Sequence, residues 1–425
     1  MRNVFVAMSG GVDSGVAASL ILERGDHACG VYMRHRRQRT FDAEETRSVL
    51  ESWRGKASLE VYSVDAQGAL QKLEQSPDSF PFLLPADAAA ALETCAFLNM
   101  PLILLDVDRP FEQIVENFVG EYYAAHTPNP CVLCNRRVKF GLLWDVAREL
   151  GAERLATGHY VQKRKTSDWL ADLKTSQTAQ IYEGTNFADP PEWLTRDPDA
   201  LFLTRSPSRK DQTYFLYDVD SRVLPYVEFA VGALEKEDAR RIAAEKNLPV
   251  AARKESQEVC FVPDKGKLEF IRAYRETRPE RWDSWAQDTS GAFCDLDGKV
   301  IGRHGGYEKY TVGQRKGLGV GFGERIFVQK IDPATRSVYL GPYENLAVDT
   351  ISFVDSNWSV APPVEKEFRC EIKARYRNEP CMATVYLNRD GSGVAKADVP
   401  RYGIAPGQAL VCYWGDRLLG GGRIV

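Results

Sequence analysis

The stretch NVFVAMSGGVDSGVAASLILERGD, residues 3 to 26, constrains the fold more than any other part of the chain. NVFVAM is a short apolar run of the kind a buried strand needs, and SGVAASLILER is a helix that ends at Gly25. The turn between them is Ser9-Gly10-Gly11-Val12-Asp13-Ser14. A strand, a glycine turn and a helix start bring backbone N–H groups and the positive end of the helix dipole to one point, which suits a phosphate. Gly10 and Gly11 lack a Cβ and permit close approach, while Ser9 and Ser14 add hydroxyl donors. Asp13 is unusual there, because its charge repels phosphate unless a cation such as Mg²⁺ lies between; the plainer reading makes it a helix cap. The lysine of a GxxxxGK[ST] loop is missing, which argues against a Walker-type γ-phosphate reaction.

Beyond this unit the first half of the chain alternates strand-like and helix-like segments. HACGVYM, PLILLDV and RLATGHY read as strands, and FEQIVENFVGEYYA and VKFGLLWDVARELGA as helices. Alternation of this kind implies an α/β domain with a parallel sheet covered on both faces. From about 217 to 282 the pattern is mainly helical, with EKEDARRIAAEKN the clearest case. From about 290 short β-rich runs separated by Gly, Pro, Asp or Asn predict a small barrel or sandwich. Residues 36 to 86 are hardest to read. SLEVYSVDAQ suits a strand, whereas the prolines of SPDSFPFLLPAD demand irregular backbone.

The chain has 425 residues, 44% hydrophobic and 27% charged, enough for two or three domains. It contains no apolar run of membrane-spanning length, and its first residues enter a strand pattern instead of an export signal, so a cytoplasmic protein without membrane association is expected. A formal net charge of −4 excludes a uniformly basic nucleic-acid binder. Any RNA contact has to use local patches, such as RHRRQR (34 to 39), RRVK (136 to 139), RSPSRK (205 to 210), GQRKG (313 to 317) and KARYR (373 to 377). Singly, each of these reads as a solvated face.

Nine cysteines in a long chain with no secretory signal point to reduced thiols. Most lie in apolar runs and read as core; Cys131, Cys134 and Cys260 sit instead among polar and turn-forming residues. In TPNPCVLCNRRVKFG, Arg136, Arg137 and a helix N-terminus are expected to lower the Cys134 thiol pKa, with a structural CxxC as the competing reading.

SGGVDS resembles the PP-loop of ATP pyrophosphatases, which attach AMP to a carbonyl or carboxyl oxygen and release pyrophosphate. With TPNPCVLCN, ATGHY, RKDQTYFLY, KESQEVCF, YTVGQRKGLGVG, KARYR and PGQALVCYWGD in this order, nearly the whole chain resembles the tRNA-specific 2-thiouridylases. The resemblance implies a PP-loop catalytic domain over 1–216 with an insertion at about 36–86, a small helical tRNA-binding domain over 217–286, and a C-terminal β-barrel over 287–425. It also implies ATP-dependent adenylation of the 2-carbonyl oxygen of a wobble uridine, followed by replacement of that oxygen with sulfur.

By position, Cys134 matches the family's nucleophile and Cys260 the persulfide carrier, and the two are implied to join in a disulfide during turnover. ATP, with Mg²⁺, would be held by Ala7, Met8, Ser9, Gly10, Gly11, Val12, Asp13, Ser14, Met33 and Gly158. Contacts to tRNA would come from His159, Lys210, Asp211, Gln212, Arg375, Tyr376 and Gln408. A sulfur-donor protein, a cysteine desulfurase or a sulfur relay, is the further partner implied.

Two departures from the family pattern stand out. Cys131 replaces the usual Asp, so Cys131, Cys134 and Cys260 are candidate ligands of a [4Fe–4S] cluster, as an alternative to a site without metal. The stretch from Arg36 to Ala86 is longer than usual and is expected to form an extra surface lobe before Asp87 and Ala88 resume the pattern. Competing functions are another PP-loop ligase and a tRNA-binding module without thiolation activity.

Overall fold

A computed structural model describes residues 1–56, 58–65, 67–74, 80–173, 189–254, 259–262, 266–281, 285, 288–319 and 325–425. Parts of four sequence features, Ala66 of SLEVYSVDAQ, 76–79 of SPDSFPFLLPAD, 255–258 and 263–264 around Cys260, and 320–321 of YTVGQRKGLGVG, lie outside the described residues. The chain forms two compact units from interleaved segments: Met1–Ile114, Leu133–Asp172 and Pro198–Phe261 in the first, Val115–Val132, Leu173–Asp197 and Val262–Val425 in the second.

In the first unit, strands β1 (Asn3–Met8), β2 (His27–Arg34), β3 (Leu59–Val64), β4 (Leu70–Lys72), β5 (Leu102–Asp106) and β6 (Arg154–Thr157) are followed by the antiparallel pair β7 (Val161–Lys165) and β8 (Leu201–Arg205) and by β9 (Val227–Phe229). Seven of them make one sheet in the order β4-β3-β5-β2-β1-β6-β9, parallel except for β4. Val4, Val6, Val61, Leu102 and Leu105 are fully buried, as expected where helices cover both faces. Strand order reverses direction at β1, which has β2 on one side and β6 on the other. Such a switch point opens a crevice at the carboxyl ends of the strands, where the loops after β1 and β6 diverge.

Among the described residues, those of 36 to 86 do not form a separate lobe. β3 lies inside the sheet, parallel to β5 and in register from Leu59↔Leu102 to Ser63↔Asp106, and the helix Ala43–Trp53 carries a full capping box from Asp42 and Glu45. The apolar residues Val61, Val64 and Leu84 are buried, so this stretch contributes to the main core. Likewise β9 and the helix Lys236–Glu245 belong to the first unit, with Val227, Val231, Ala239 and Ala243 buried there.

The second unit holds two β structures. β10 (Gly291–Cys294), β11 (Val300–His304), β12 (Phe327–Asp332) and β13 (Ser337–Gly341) form a sheet in the order β11-β10-β13-β12 around Phe293, Tyr307, Val328 and Val338. β14 (Ala347–Trp358), β15 (Glu367–Lys373), β16 (Cys381–Leu387), β17 (Gly393–Tyr402), β18 (Ala409–Trp414) and β19 (Arg417–Ile424) pair antiparallel as β14-β17-β16-β15-β18-β19, and β19 returns to β14. That last pairing closes a barrel and leaves it without open edges. Alternate residues Phe368, Cys370 and Ile372, or Ala383, Val385 and Leu387, point inward. Arg417, 1% exposed, donates to the Leu194 carbonyl at 2.8 Å, and Trp193 meets Phe368 edge-on, so residues 189–197 cover one side of the barrel.

Candidate active site

The loop after β1 is shaped by its own hydroxyls. Ser14 Oγ accepts from the Ser9 amide at 3.1 Å and donates to the Gly11 carbonyl at 3.1 Å, and Ser9 Oγ accepts from the Gly11 amide at 3.3 Å. Gly11 caps the helix Val12–Glu23 without a side-chain bond, so the first-turn N–H groups face the crevice as an anion seat. Gly10 has φ +72°, and a Cβ there would sit 2.2 Å from the Asp87 carbonyl oxygen; only glycine allows the helix Ala86–Phe97 to begin against the loop. Arg253 fastens the same junction, donating to the Gly10 carbonyl at 2.8 Å and to Asp87 Oδ1 at 2.6 Å.

Asp13 is not an isolated charge. Its Oδ1 accepts from the Lys236 ammonium at 2.6 Å and from the Tyr160 hydroxyl at 2.7 Å. The cation that sequence reasoning supplied as Mg²⁺ is therefore partly supplied by a buried lysine from a helix remote in sequence. Gly158, one residue past β6, packs directly on the loop: a Cβ there would lie 2.9 Å from the Asp13 carbonyl carbon and the Ser14 nitrogen. Met33, near the end of β2, has its carbonyl bonded by Gln38 Nε2 at 3.2 Å. Residues Ala7 to Ser14, Met33 and Gly158 thus lie along the carboxyl edge of β1, β2 and β6.

Cys134 precedes a helical stretch whose Lys139 and Phe140 touch the loop after β6. Pro130–Cys134 is a short α-helix that runs straight into a π-helical stretch, Asn135–Leu142, and Cys134 has φ −63° and ψ −45°. It lies inside continuous helix and not at its start; Cys131 occupies the first turn, after Pro130 at the position proline favours. Arg136 pairs with both oxygens of Asp218 at 3.0 Å. Asn135 donates to the Phe215 carbonyl at 2.9 Å, and Phe140 and Lys139 contact His159, with Lys139 Nζ 3.4 Å from its Nε2. Burial, and then the Lys139 charge, hold the His159 imidazole well below its usual range, so it is neutral near pH 7. Contacts therefore run from the Cys134 helix through His159 and Gly158 to Asp13.

Cys260 is exposed, and its neighbour Phe261 is anchored. Phe261 meets Phe111 edge to face at 5.6 Å, and Phe111 stacks flat on His35 at 3.9 Å. Phe111 begins the helix after β5 and His35 follows β2, which fixes Cys260 at the carboxyl ends of those strands. Tyr32, in register with Met8 just before the glycine turn, senses the same thiol: burial first, then Asp87 and Cys260, push its phenol up, against Arg253. Cys260 thus lies at the sheet edge on which the nucleotide loop opens.

The remaining residues separate by role. Lys210 is exposed. Asp211 turns inward, accepting from the amides of Ser206 and Thr213 and from the Thr213 hydroxyl, and Gln212 exchanges bonds with the Tyr160 backbone at 2.9 Å in both directions. In the second unit, Arg375 and Tyr376 sit in the turn after β15, and Gln408 donates to the Thr127 carbonyl at 2.7 Å, holding the TPNP segment on the loop before β18. Among the described residues no group of three or more His, Cys, Asp or Glu side chains is gathered as a metal site. Cys131, Cys134 and Cys260 are accordingly not part of such a group among the described residues. Sequence reasoning missed Lys236, Arg253 and Tyr160, and nothing in EKEDARR separated Lys236 from a solvated helix face.

A parallel sheet with a glycine-turn anion seat at its switch point, in a chain that also carries a closed barrel, defines a PP-loop nucleotide enzyme with an appended β domain. Residues 2–66 and 59–264 match the tRNA methyl transferase HUP domain profile, 283–342 the tRNA methyl transferase PRC-barrel domain and 348–424 the aminomethyltransferase beta-barrel domain. The tRNA-specific 2-thiouridylase MnmA of Chloroflexus aurantiacus is 35% identical over 100% of this chain and 98% of its own, and the enzyme of that name from Syntrophotalea carbinolica is 35% identical over the same shares. The chain belongs to the tRNA-specific 2-thiouridylase family. Among solved structures, the U34-tRNA thiolase NcsA of Methanococcus maripaludis shares 11% identity over 67% of each chain at a TM-score of 0.26, too distant to carry an argument.

Proposed function

We propose that this protein is an ATP-dependent, cytoplasmic tRNA-uridine 2-sulfurtransferase that converts the wobble uridine to 2-thiouridine. What supports this most is the gathering of Asp13, Lys236, Arg253 and the Cys260 segment at one sheet edge, since the oxygen that is adenylated and the carbon that takes the sulfur belong to the same carbonyl group.

ATP phosphates occupy the loop from Ser9 to Ser14 at the first-turn amides that follow Gly11, with Ala7, Met8, Met33 and Gly158 bounding the nucleotide. Mg²⁺ arriving with ATP would be held by Asp13, whose Oδ2 is left over by Lys236 and Tyr160, and would supply charge neutralisation of the departing pyrophosphate. The uridine 2-carbonyl oxygen attacks the α-phosphorus and pyrophosphate leaves. A persulfide on Cys260, loaded by a sulfur-donor protein, adds through its terminal sulfur to C2, and AMP departs with the former carbonyl oxygen. The Cys134 thiolate then attacks the Cys260 sulfur. A Cys134–Cys260 disulfide forms, and the C2-bound sulfur leaves as the thiocarbonyl of the product. The target base has to leave the anticodon stack to reach this edge. Lys210, His159 and, in the barrel unit, Arg375, Tyr376 and Gln408 are the tRNA contacts; Asp211 and Gln212 support them by shaping the loop around Lys210.

Pyrophosphate release separates this function from its rivals. Release that requires ATP and unmodified tRNA together is expected. Release without tRNA, in the presence of ammonia or an amino acid, would make the protein a different PP-loop ligase; none with any substrate would leave a tRNA-binding module.

A further inference from the structure

The barrel unit exposes two aromatic rings that its core does not require. Tyr343, in the turn between β13 and β14, is 45% exposed and Tyr402, at the end of β17, is 37% exposed. The rings stack at 4.6 Å with planes 4° apart, and Phe327 backs Tyr343 at 5.2 Å. Basic residues adjoin this pair through a junction of three loops. Gly403, next to Tyr402, and Gly313 of the GQRKG segment have φ +63° and +84° and approach so closely that a Cβ on either would meet the other's Cα within 3.4 Å. The same Gly403 Cβ would lie 3.1 Å from Arg375 Nη1. Arg315 and Lys316 follow Gly313 and are exposed. Among the described residues no carboxylate lies in ion-pair range of Arg315, Lys316 or Arg375, although many arginines of this chain are paired. Glu344, beside Tyr343, is the acid nearest in sequence.

We infer that the Tyr343–Tyr402 pair, with Arg375, Arg315 and Lys316 beside it, is a docking surface for an unpaired nucleotide of the tRNA substrate and its flanking phosphates. A base has a π face whatever its identity, and a rigid, preformed ring pair stacks on it at low ordering cost. The guanidinium and ammonium groups, without an ion-paired carboxylate among the described residues, match the phosphates on either side. An apolar protein partner would gain nothing from the basic border. Arg375 belongs to the proposed tRNA contacts; the tyrosines and the GQRKG basic residues extend that surface to a second kind of recognition, stacking.

This inference rests on tRNA being the substrate, and the test keeps the two apart. Binding of an unmodified tRNA transcript is measured by fluorescence anisotropy for wild type, Tyr343→Ala, Tyr402→Ala, Tyr402→Phe and Arg315→Ala/Lys316→Ala, with thermal melting as a folding check. Each tyrosine-to-alanine change should weaken affinity about five- to a hundred-fold, and Tyr402→Phe should stay within about two-fold of wild type. The double basic variant should lower the slope of log K against log salt by about two. Wild type that fails to bind tRNA would undo the functional reading. Wild type that binds, with all variants binding equally, would overturn this inference alone. Variants with normal tRNA affinity that no longer accept sulfur from a donor protein would also overturn it, showing a protein dock instead.

Discussion

Lys236 is the residue whose placement alters the chemistry of the loop most. It is 7% exposed, and its partner Asp13 lies 223 residues earlier in the chain. A half-open carboxylate beside an anion seat would otherwise repel the phosphates it is meant to bind; the ammonium offsets that charge before ATP arrives. Lys236→Met should lower tRNA-dependent pyrophosphate release at least about ten-fold and destabilise the first unit by about 1–3 kcal/mol, less than a fully buried pair because Asp13 is partly solvated. Pyrophosphate release and thermal melting check this, and wild-type values for both would remove Lys236 from the site. Asp13, by contrast, is proposed from SGGVDS alone, as Cys134 and Cys260 are from their own short motifs. Their motifs are local in sequence, whereas the lysine's role exists only once the helix Lys236–Glu245 docks on Val12–Glu23.

At the scale of elements, what positions the site is how loops press on one another. Gly158 has backbone of the glycine turn within 2.9 Å of where a Cβ would go, so Gly158→Ala must push β6's loop off Asp13. The expected result is at least about a ten-fold loss of kcat/KM for ATP with little change in tRNA affinity, measured by pyrophosphate release over an ATP series. The His35–Phe111–Phe261 column anchors the Cys260 segment in a similar way. Burial first, with Arg34 and Arg37 adding to it against Asp108, pulls His35 down to about 4. The folded protein thus keeps this imidazole neutral while the unfolded chain takes up a proton below pH 6.5. The stabilisation, roughly 3 kcal/mol, is present above pH 6.5 and is lost as pH falls toward 4. Urea midpoints at pH 7.5 and 5 should differ in wild type and converge in His35→Phe, which keeps the ring stack. The strands and helices around these contacts were legible from periodicity. The π-helical run at Asn135–Leu142 was not, because period-3.6 patterning cannot distinguish it, and so Cys134 was wrongly set at a helix start. β3 was read as a strand, but its membership of the main sheet depends on pairing with β5, which no local pattern in 36–86 reveals.

For the whole molecule, the sign of the net charge is a poor guide to its partner. The chain carries −4 overall, yet the tRNA contacts proposed for it are local cations. With four phosphate contacts, log K for tRNA against log salt should fall with a slope of roughly −3. A slope near zero in a titration would mean that the basic patches are not the contact surface. Among the described residues no helix is long and apolar enough to cross a membrane. The two-unit division, in which segments 115–132 and 173–197 belong with the barrel, was not legible, since composition changes smoothly at each crossing and only long-range contacts assign them. The barrel was legible as several short strands of even spacing; its closure through β14 and β19 was not, because those strands lie at opposite ends of the domain.

The central claim is that the sulfur reaching the adenylated uridine travels on Cys260. The most direct measurement is a single-turnover reaction of Cys260→Ser with ATP, unmodified tRNA and a persulfide donor, following pyrophosphate and 2-thiouridine together. Pyrophosphate release close to wild type with no 2-thiouridine is the expected result. Formation of 2-thiouridine by this variant would contradict the account.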